Sequence, residues 1–459
     1  MRLKNISLKN YRCFKEAEID FDEHITLIVG KNKAGKTAIL DAIAVSASTF
    51  LLRIDGGVSK SILKDDATYK SHNLNGTMDR QHQFPVSIHS LGNCMNEQNI
   101  KWTRSLNSTF GKTTIKDARK LTNISKQVQN QIMIGDKSLV LPLISYYGAR
   151  RLCEQKKNKR IVKPLAEFNR QVGYVDCMAA EFNEKLMMDW FQTQTLKSFQ
   201  NQQKTGTLDK PVLLKTVEQA ICKSYEKLSG SKNANIFFDF DTHRLVLDFQ
   251  TGDGKSQRFA MDEMSDEYKN VLGIISDIAY RMAILNPMLG DHVLKKTPGI
   301  VLIDEVDLYL HSQWQQTILN DLRTIFPNIQ FIVSLHGAAM INSVTSEQIR
   351  ILDNGKIRKQ KKNQERFYIE LYRSGNKDSK DKAICYFFDT YENFIKQQIQ
   401  QFYPTYKNKY FDDLLSSGKL GLLEALQKYD PDKGAFTTCS KPYIRYELTR
   451  FLCEIVAQN

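Results

Sequence analysis

The stretch "GKNKAGKT", residues 30–37, decides the fold. It fits G-x-x-x-x-G-K-[ST], and its surroundings give the match meaning. Before it, "ITLIVG" (25–30) is an apolar run with strand character; after it, "KTAILDAIAVSASTFLL" (36–52) reads as a helix. Strand, glycine-rich loop and helix in that order make a phosphate cradle, because backbone N–H groups at a helix N-terminus are unpaired donors with partial positive charge. Gly30, Lys31, Asn32, Lys33, Ala34 and Gly35 would line the loop. Lys36 would reach the β- and γ-phosphates of ATP, and Thr37 would offer its hydroxyl to Mg²⁺.

Binding a nucleotide is not cutting it. Hydrolysis needs one carboxylate for the metal and another for the attacking water, and "GIVLIDEVDLYLH" (299–311) offers both. Its apolar run ends in adjacent acids, so Asp304 is the candidate for the metal shell and Glu305 for orienting and deprotonating water. The plainer alternative is that two acids terminate a strand; a P-loop in the same chain favours the catalytic reading. A further strand, "NIQFIVSLH", ends in His336, which is placed to touch a γ-phosphate.

Outside these motifs the sequence bounds the protein more loosely. A chain of 459 residues exceeds one ordinary domain, and 41% hydrophobic with 25% charged residues is the composition of a folded globular protein. No apolar run approaches the roughly 18 residues of a membrane span, and "MRLKNISLKN" alternates like a strand, so a cytoplasmic protein without membrane contact is expected. A net charge of +14 is compatible with a phosphate-rich partner. The runs "KKNKR" (156–160) and "KIRKQKKNQER" (356–366) read either as a nucleic-acid track or as solvated faces and linkers. The eight cysteines, at 13, 94, 153, 177, 222, 385, 439 and 453, form no C-x-x-C pair, so neither a disulfide framework nor a zinc knuckle is indicated, and reduced, mostly buried thiols are expected.

Along the chain, "FPVSIHSL" and "IKWTRSLN" predict a strand pair, and "SLVLPLISYYGARR" another strand ending at Tyr146. From about 165 to 230 apolar residues recur three and four apart, which predicts helices whose Met and aromatic stripe is packing core. "NIFFDF", "RLVLDFQ" and "SQRFAM" return to strand patterns.

The ordered set "LKNYRCF", "GKNKAGKT", "MSDEYKN", "VLIDEVDLYLH" and "IVSLH" resembles the ABC-type ATPase heads of SMC and RecF-like proteins, most of all the PtuA-type ATPases of Septu and retron-associated antiphage systems. The resemblance spans about residues 1–365. It implies an α/β fold, with a head interrupted by a helical insertion at about 155–233. It also implies two heads sandwiching two ATP molecules, Ser265 reaching the γ-phosphate bound by the partner subunit, His336 as the switch histidine, and Asp307 in the loop facing the other subunit. Three features depart from the pattern. Lys33 stands where a second glycine is usual, Glu267 occupies the place of the signature glycine, and "HGAA" replaces the Ser-Pro that often follows the histidine. A carboxylate near a γ-phosphate is repulsive by about 1 kcal/mol at ~4 Å in water, so weak ATP-driven dimer closure is expected, and the departures together imply slow turnover. Read without the family, Ser265 caps a helix whose positive end Asp266 and Glu267 complement.

From residue 366 to 459 a small all-α domain is expected. "FDDLLSSGKLGLLEALQKYDPDKGAFTTCSKPYIRYELTRFL" is similar to region 2 of bacterial sigma factors, with Pro431 and Gly434 stopping one helix and Thr437 or Thr438 capping the next. Phe436 and Tyr443 are retained where such domains stack melted bases, while Cys439 and Pro442 stand where aromatics are frequent, which favours docking over base stacking. The expectation is therefore a Mg²⁺-dependent ATPase that dimerises or forms a higher oligomer on ATP and controls a partner effector, a nuclease or toxin. The alternative is a nucleotide-sensing regulator whose tail contacts RNA polymerase or DNA. An OLD-type nuclease is disfavoured by the helical tail.

Overall fold

The computed structural model describes residues 1–74, 77–149, 151, 169–179, 183–207, 210–337, 339–353, 355–359, 364–373, 377–430 and 436–458. The basic run 156–160, the start of the expected insertion and the Pro431–Gly434 turn lie outside them, as does Cys153. The chain divides into two compact units, Met1–Lys359 and Gln360–Asn459.

The first unit is built on a six-stranded sheet. Its order is Lys356–Lys359, Ile349–Asp353, Ile25–Gly30, Ile329–Leu335, Gly299–Ile303, Leu143–Tyr147, all parallel except the first, which pairs antiparallel. The three central strands are buried along nearly their whole length, the sign of a parallel sheet covered on both faces. The order matters for the site. The strand ending in His336 lies between the P-loop strand and the acid strand, so the residues at its C-terminal end reach both.

A second sheet, of order Phe14–Asp20, Arg2–Tyr11, Val86–Cys94, Glu97–Leu106, is antiparallel and contains the expected strand pair. The helix Lys36–Ala47 packs against strands of both sheets, and ten of its twelve residues are buried. That explains why its sequence is apolar all round rather than along one stripe. Gln330 stitches the sheets: its amide donates to the Leu3 and Asp22 carbonyls at 2.8 Å each and accepts from Leu3 N at 2.8 Å. A buried amide so bonded costs little and fixes register.

The region expected to be helical contains Glu184–Thr205 and Val212–Ser229, preceded by a 3₁₀ turn at Arg170–Tyr174 where the apolar spacing had suggested continuous helix. Met187, Trp190 and Phe191 are buried, so the stripe is core as expected. A three-stranded antiparallel sheet follows, of order Ser256–Ala260, Arg244–Gln250, Lys232–Asp239. The chain then enters the helix Asp266–Leu285, anchored by a buried ion pair: Arg281 Nε donates to Asp277 Oδ2 at 2.7 Å, and Asp277 Oδ2 also accepts from Tyr147 Oη at 2.7 Å.

The second unit consists of helices Gln364–Arg373, Lys377–Phe402, Lys407–Lys428 and Phe436–Gln458. The Gly-x-x-Gly spacing has a packing cause. A Cβ on Gly421 would meet Tyr443 O at 2.6 Å, and one on Gly418 would meet Ile395 Cγ2 at 2.3 Å. Two sequence expectations change here. Thr437 and Thr438 lie inside the helix Phe436–Gln458 rather than before it. Phe436 is fully buried among Phe387, Tyr391 and Tyr429 at ring separations of 4.7, 4.9 and 5.0 Å, so it is core and no stacking surface for bases.

No helix among the described residues is long and apolar enough to cross a membrane. The seven described cysteines are all free; three are buried and three exposed, fewer buried than expected.

Candidate active site

The P-loop leaves its strand at Gly30 and enters its helix at Lys36. Gly35 at its end has φ 101°, and a Cβ there would lie 2.6 Å from Cys13 Sγ and 2.7 Å from Phe14 Cζ. Only glycine fits a left-handed residue under such close cover. This gives "YRCF" its role: the turn between the first two strands roofs the loop. Arg12 in that turn is held by Asp66 at 2.7 Å and by Asp41, one helical turn beyond Thr37, at 2.8 Å. Lys33 adopts φ 68° with its side chain exposed, so it takes the backbone conformation of the glycine it replaces and keeps its side chain in solvent.

Lys36 is buried, its Nζ donating to the carbonyls of Gly30 at 2.8 Å and Lys31 at 3.4 Å. Burial pulls its pKa down, against the upward pull of Glu305, Asp304 and Asp307. Thr37 Oγ1 donates to Asp304 Oδ2 at 2.8 Å, across 267 positions of sequence. Ser334 Oγ donates to the other carboxylate oxygen of Asp304 and accepts from Glu305 N at 2.9 Å. Burial pushes the Asp304 carboxyl up, the hydroxyls of Ser334 and Thr37 oppose this, and Glu305 and Asp41 add to it.

Glu305 differs from its neighbour. Asp304 is only 2% exposed, whereas the Glu305 side chain is 23% exposed and can meet water. Glu305 has φ 50°, a conformation that a non-glycine residue keeps only when its surroundings enforce it. Its carboxylate lies 2.7 Å from His336 Nε2. Asp307 is buried within the chain, and its carboxylate accepts the backbone N–H of His336 at 3.0 and 3.1 Å and that of Gly337. It therefore fixes the histidine's loop from below.

Ser265 occupies the N-cap position of the helix Asp266–Leu285, exposed and without a side-chain cap bond, so the expected capping hydroxyl is not used. Asp266 and Glu267 lie in the first turn, where they complement the helix dipole. Sequence reasoning passed over three residues. Ser334 was a lone polar residue in an apolar strand, a signal that could have been read. Arg151 and Asn270, both buried and both bonded to the acidic turn, carried no such signal.

The site fits a magnesium-bound nucleotide. Thr37 and Asp304 bring one hydroxyl and one carboxylate oxygen together, as Mg²⁺ at a phosphate site requires when phosphates and water complete its shell. The loop ahead of Lys36 presents backbone donors at a helix N-terminus.

P-loop, acid pair and interposed histidine strand, in this strand order, resemble the ABC-type P-loop ATPase heads of the SMC and RecF-like kind. Residues 5–229 match the family described as an AAA domain. The chain is 26% identical over 400 residues to the Retron Vc95 probable ATPase of Vibrio cholerae, covering 77% of this chain and 74% of that protein. It is 26% identical over 409 residues to the Retron Ec83 probable ATPase of Escherichia coli, covering 77% and 72%. The Septu protein PtuA of Bacillus mycoides is 29% identical over 92 residues, 20% of this chain and 12% of its own. The likeness to the retron ATPases thus spans far more of the chain than the likeness to PtuA.

Proposed function

We propose that the chain is the Mg²⁺-dependent ATPase component of an antiphage complex, one that pairs its heads on ATP and controls a partner nuclease or toxin. The observation that carries the enzymatic reading is the 2.8 Å contact between Thr37 and Asp304, with Glu305 and His336 beside it. Residues 30–37 hold the triphosphate, and Lys36 exchanges its two carbonyl partners for phosphate oxygens. Thr37 and Asp304 would hold Mg²⁺, which would supply charge to offset that developing on the phosphoryl oxygens. Glu305 orients water and takes its proton, and His336, hydrogen-bonded to Glu305, is the group placed to meet the γ-phosphate. Ser265 engages nucleotide held by the partner subunit.

Retron and Septu relatives support the antiphage setting. For the domain plan we retain a head at 1–365 with its insertion at about 155–233 and a separate helical domain at 366–459. With Phe436 in the core, the second unit is read as a docking module for protein, with RNA polymerase or a DNA backbone as its other candidate partners. Mg²⁺-ATP hydrolysis by the full chain tests the reading: Lys36→Ala should reduce it about a thousandfold, and undiminished hydrolysis in that variant would defeat it.

A further inference from the structure

Three groups fix Glu305 in its unusual conformation. Ser334 Oγ accepts from its N–H, His336 contacts its carboxylate, and its carbonyl accepts from Arg151 Nη2 at 3.0 Å. Arg151 is 3% exposed and uses its guanidinium as a fork: Nη1 also donates to the Asp304 carbonyl at 2.7 Å and to the Gly148 carbonyl at 3.0 Å. Its Nε donates to Asn270 Oδ1 at 2.6 Å. Asn270 is 1% exposed and sits in the second turn of the helix that begins after Ser265; its Nδ2 donates to the Leu308 carbonyl at 2.8 Å. Two side chains thus grip the Asp304–Leu308 turn at both ends, and one of them rides on that helix.

We propose that Arg151 is a positioning residue: through Asn270 it ties the start of the helix Asp266–Leu285 to the backbone of the Asp304–Glu305 turn, so that movement of that helix re-aims the Glu305 carboxylate. The inference rests on Glu305 as the water-orienting group, and it supplies a path by which an event at Ser265 alters turnover without touching the P-loop. A planar guanidinium is required because only it offers donors to four acceptors in fixed directions. Burial lowers the Arg151 pKa to about 10, against the pull of Asp304, Glu305 and Asp307, so the group stays charged at neutral pH.

The test uses the full chain with Arg151→Lys, Asn270→Ser and the double variant. Nucleotide affinity is read with a fluorescent ATP analogue, turnover by phosphate release, and the 304–309 amides by hydrogen exchange. In Arg151→Lys, turnover should fall about 100-fold, the loss expected of a catalytic group displaced by about an ångström. Nucleotide affinity should change by less than about threefold, and the 304–309 amides should exchange faster while those of Lys36–Ala47 do not. Asn270→Ser should give the same pattern, and the double variant should be no worse than Arg151→Lys alone. Unchanged turnover, parallel loss of affinity and turnover, or additive effects in the double variant overturn the proposal. If Arg151→Lys does not fold, Asn270→Ser alone decides by the same criteria. If the wild-type chain does not hydrolyse ATP, the enzymatic reading fails separately and exchange decides: faster exchange at 304–309 supports the tie, and unaltered exchange removes it.

Discussion

The two ends of the candidate site are built differently. Around the P-loop, side chains from distant parts of the chain meet: Thr37 meets Asp304, Ser334 meets both acids, and Asp307 holds the histidine loop. At the start of the helix Asp266–Leu285, Ser265 stands exposed with two acids behind it. The first end is complete within one chain. The second faces solvent in the single chain, and the Asn270–Arg151 bond is the link between them.

That contrast can be broken or sharpened by substitution. The largest effect belongs to the complete end: Glu305→Gln should lower phosphate release by about 10² to 10³ while leaving ATP binding intact, measured by single-turnover assay and calorimetry. Ser265→Ala should lower turnover about tenfold with nucleotide affinity of the isolated chain unchanged, the deficit shrinking at high protein concentration. Loss of affinity at low concentration would place Ser265 in the chain's own pocket. Glu267→Gly should tighten ATP-dependent self-association roughly fivefold, about 1 kcal/mol of relieved repulsion, by sedimentation.

The smallest effect concerns Asp304 in the absence of nucleotide. Its carboxyl is raised above 3.8 by burial, so ionisation is penalised in the folded state. The sign is therefore that apo stability falls as pH climbs from 3.8 through the raised folded value. Asp304→Asn should remove that fall and raise apo stability at pH 7, seen as a higher Tm, while harming function.

Much of the head was legible because three buried strands announce themselves as unbroken apolar runs, each ending in residues with obvious chemistry: Gly30, Asp304 with Glu305, and His336. The strand order was not legible. Nothing in "NIQFIVSLH" says that it lies between two strands whose site residues, Thr37 and Asp304, stand 267 positions apart, and that placement turns Ser334 into the clasp of the acid pair. Arg151 follows a strand as one of two adjacent arginines, and Asn270 hides in an ordinary helical turn; only tertiary contact distinguishes them. In the second unit the resemblance named Phe436 as a surface aromatic, and burial among three rings won instead. The helix cap was misjudged for the reason such boundaries often are: Ser265 has capping chemistry and stands at the N-cap position, but its side chain makes no cap bond.

The account depends on Thr37 and Asp304 sharing one metal ion with the nucleotide. Calorimetric titration of ATP into the full chain and into Asp304→Asn, each with Mg²⁺ and with EDTA, tests this most directly. The wild-type affinity should rise at least about tenfold with Mg²⁺ and the Asp304→Asn affinity should not. Equal Mg²⁺ dependence in both proteins would contradict it.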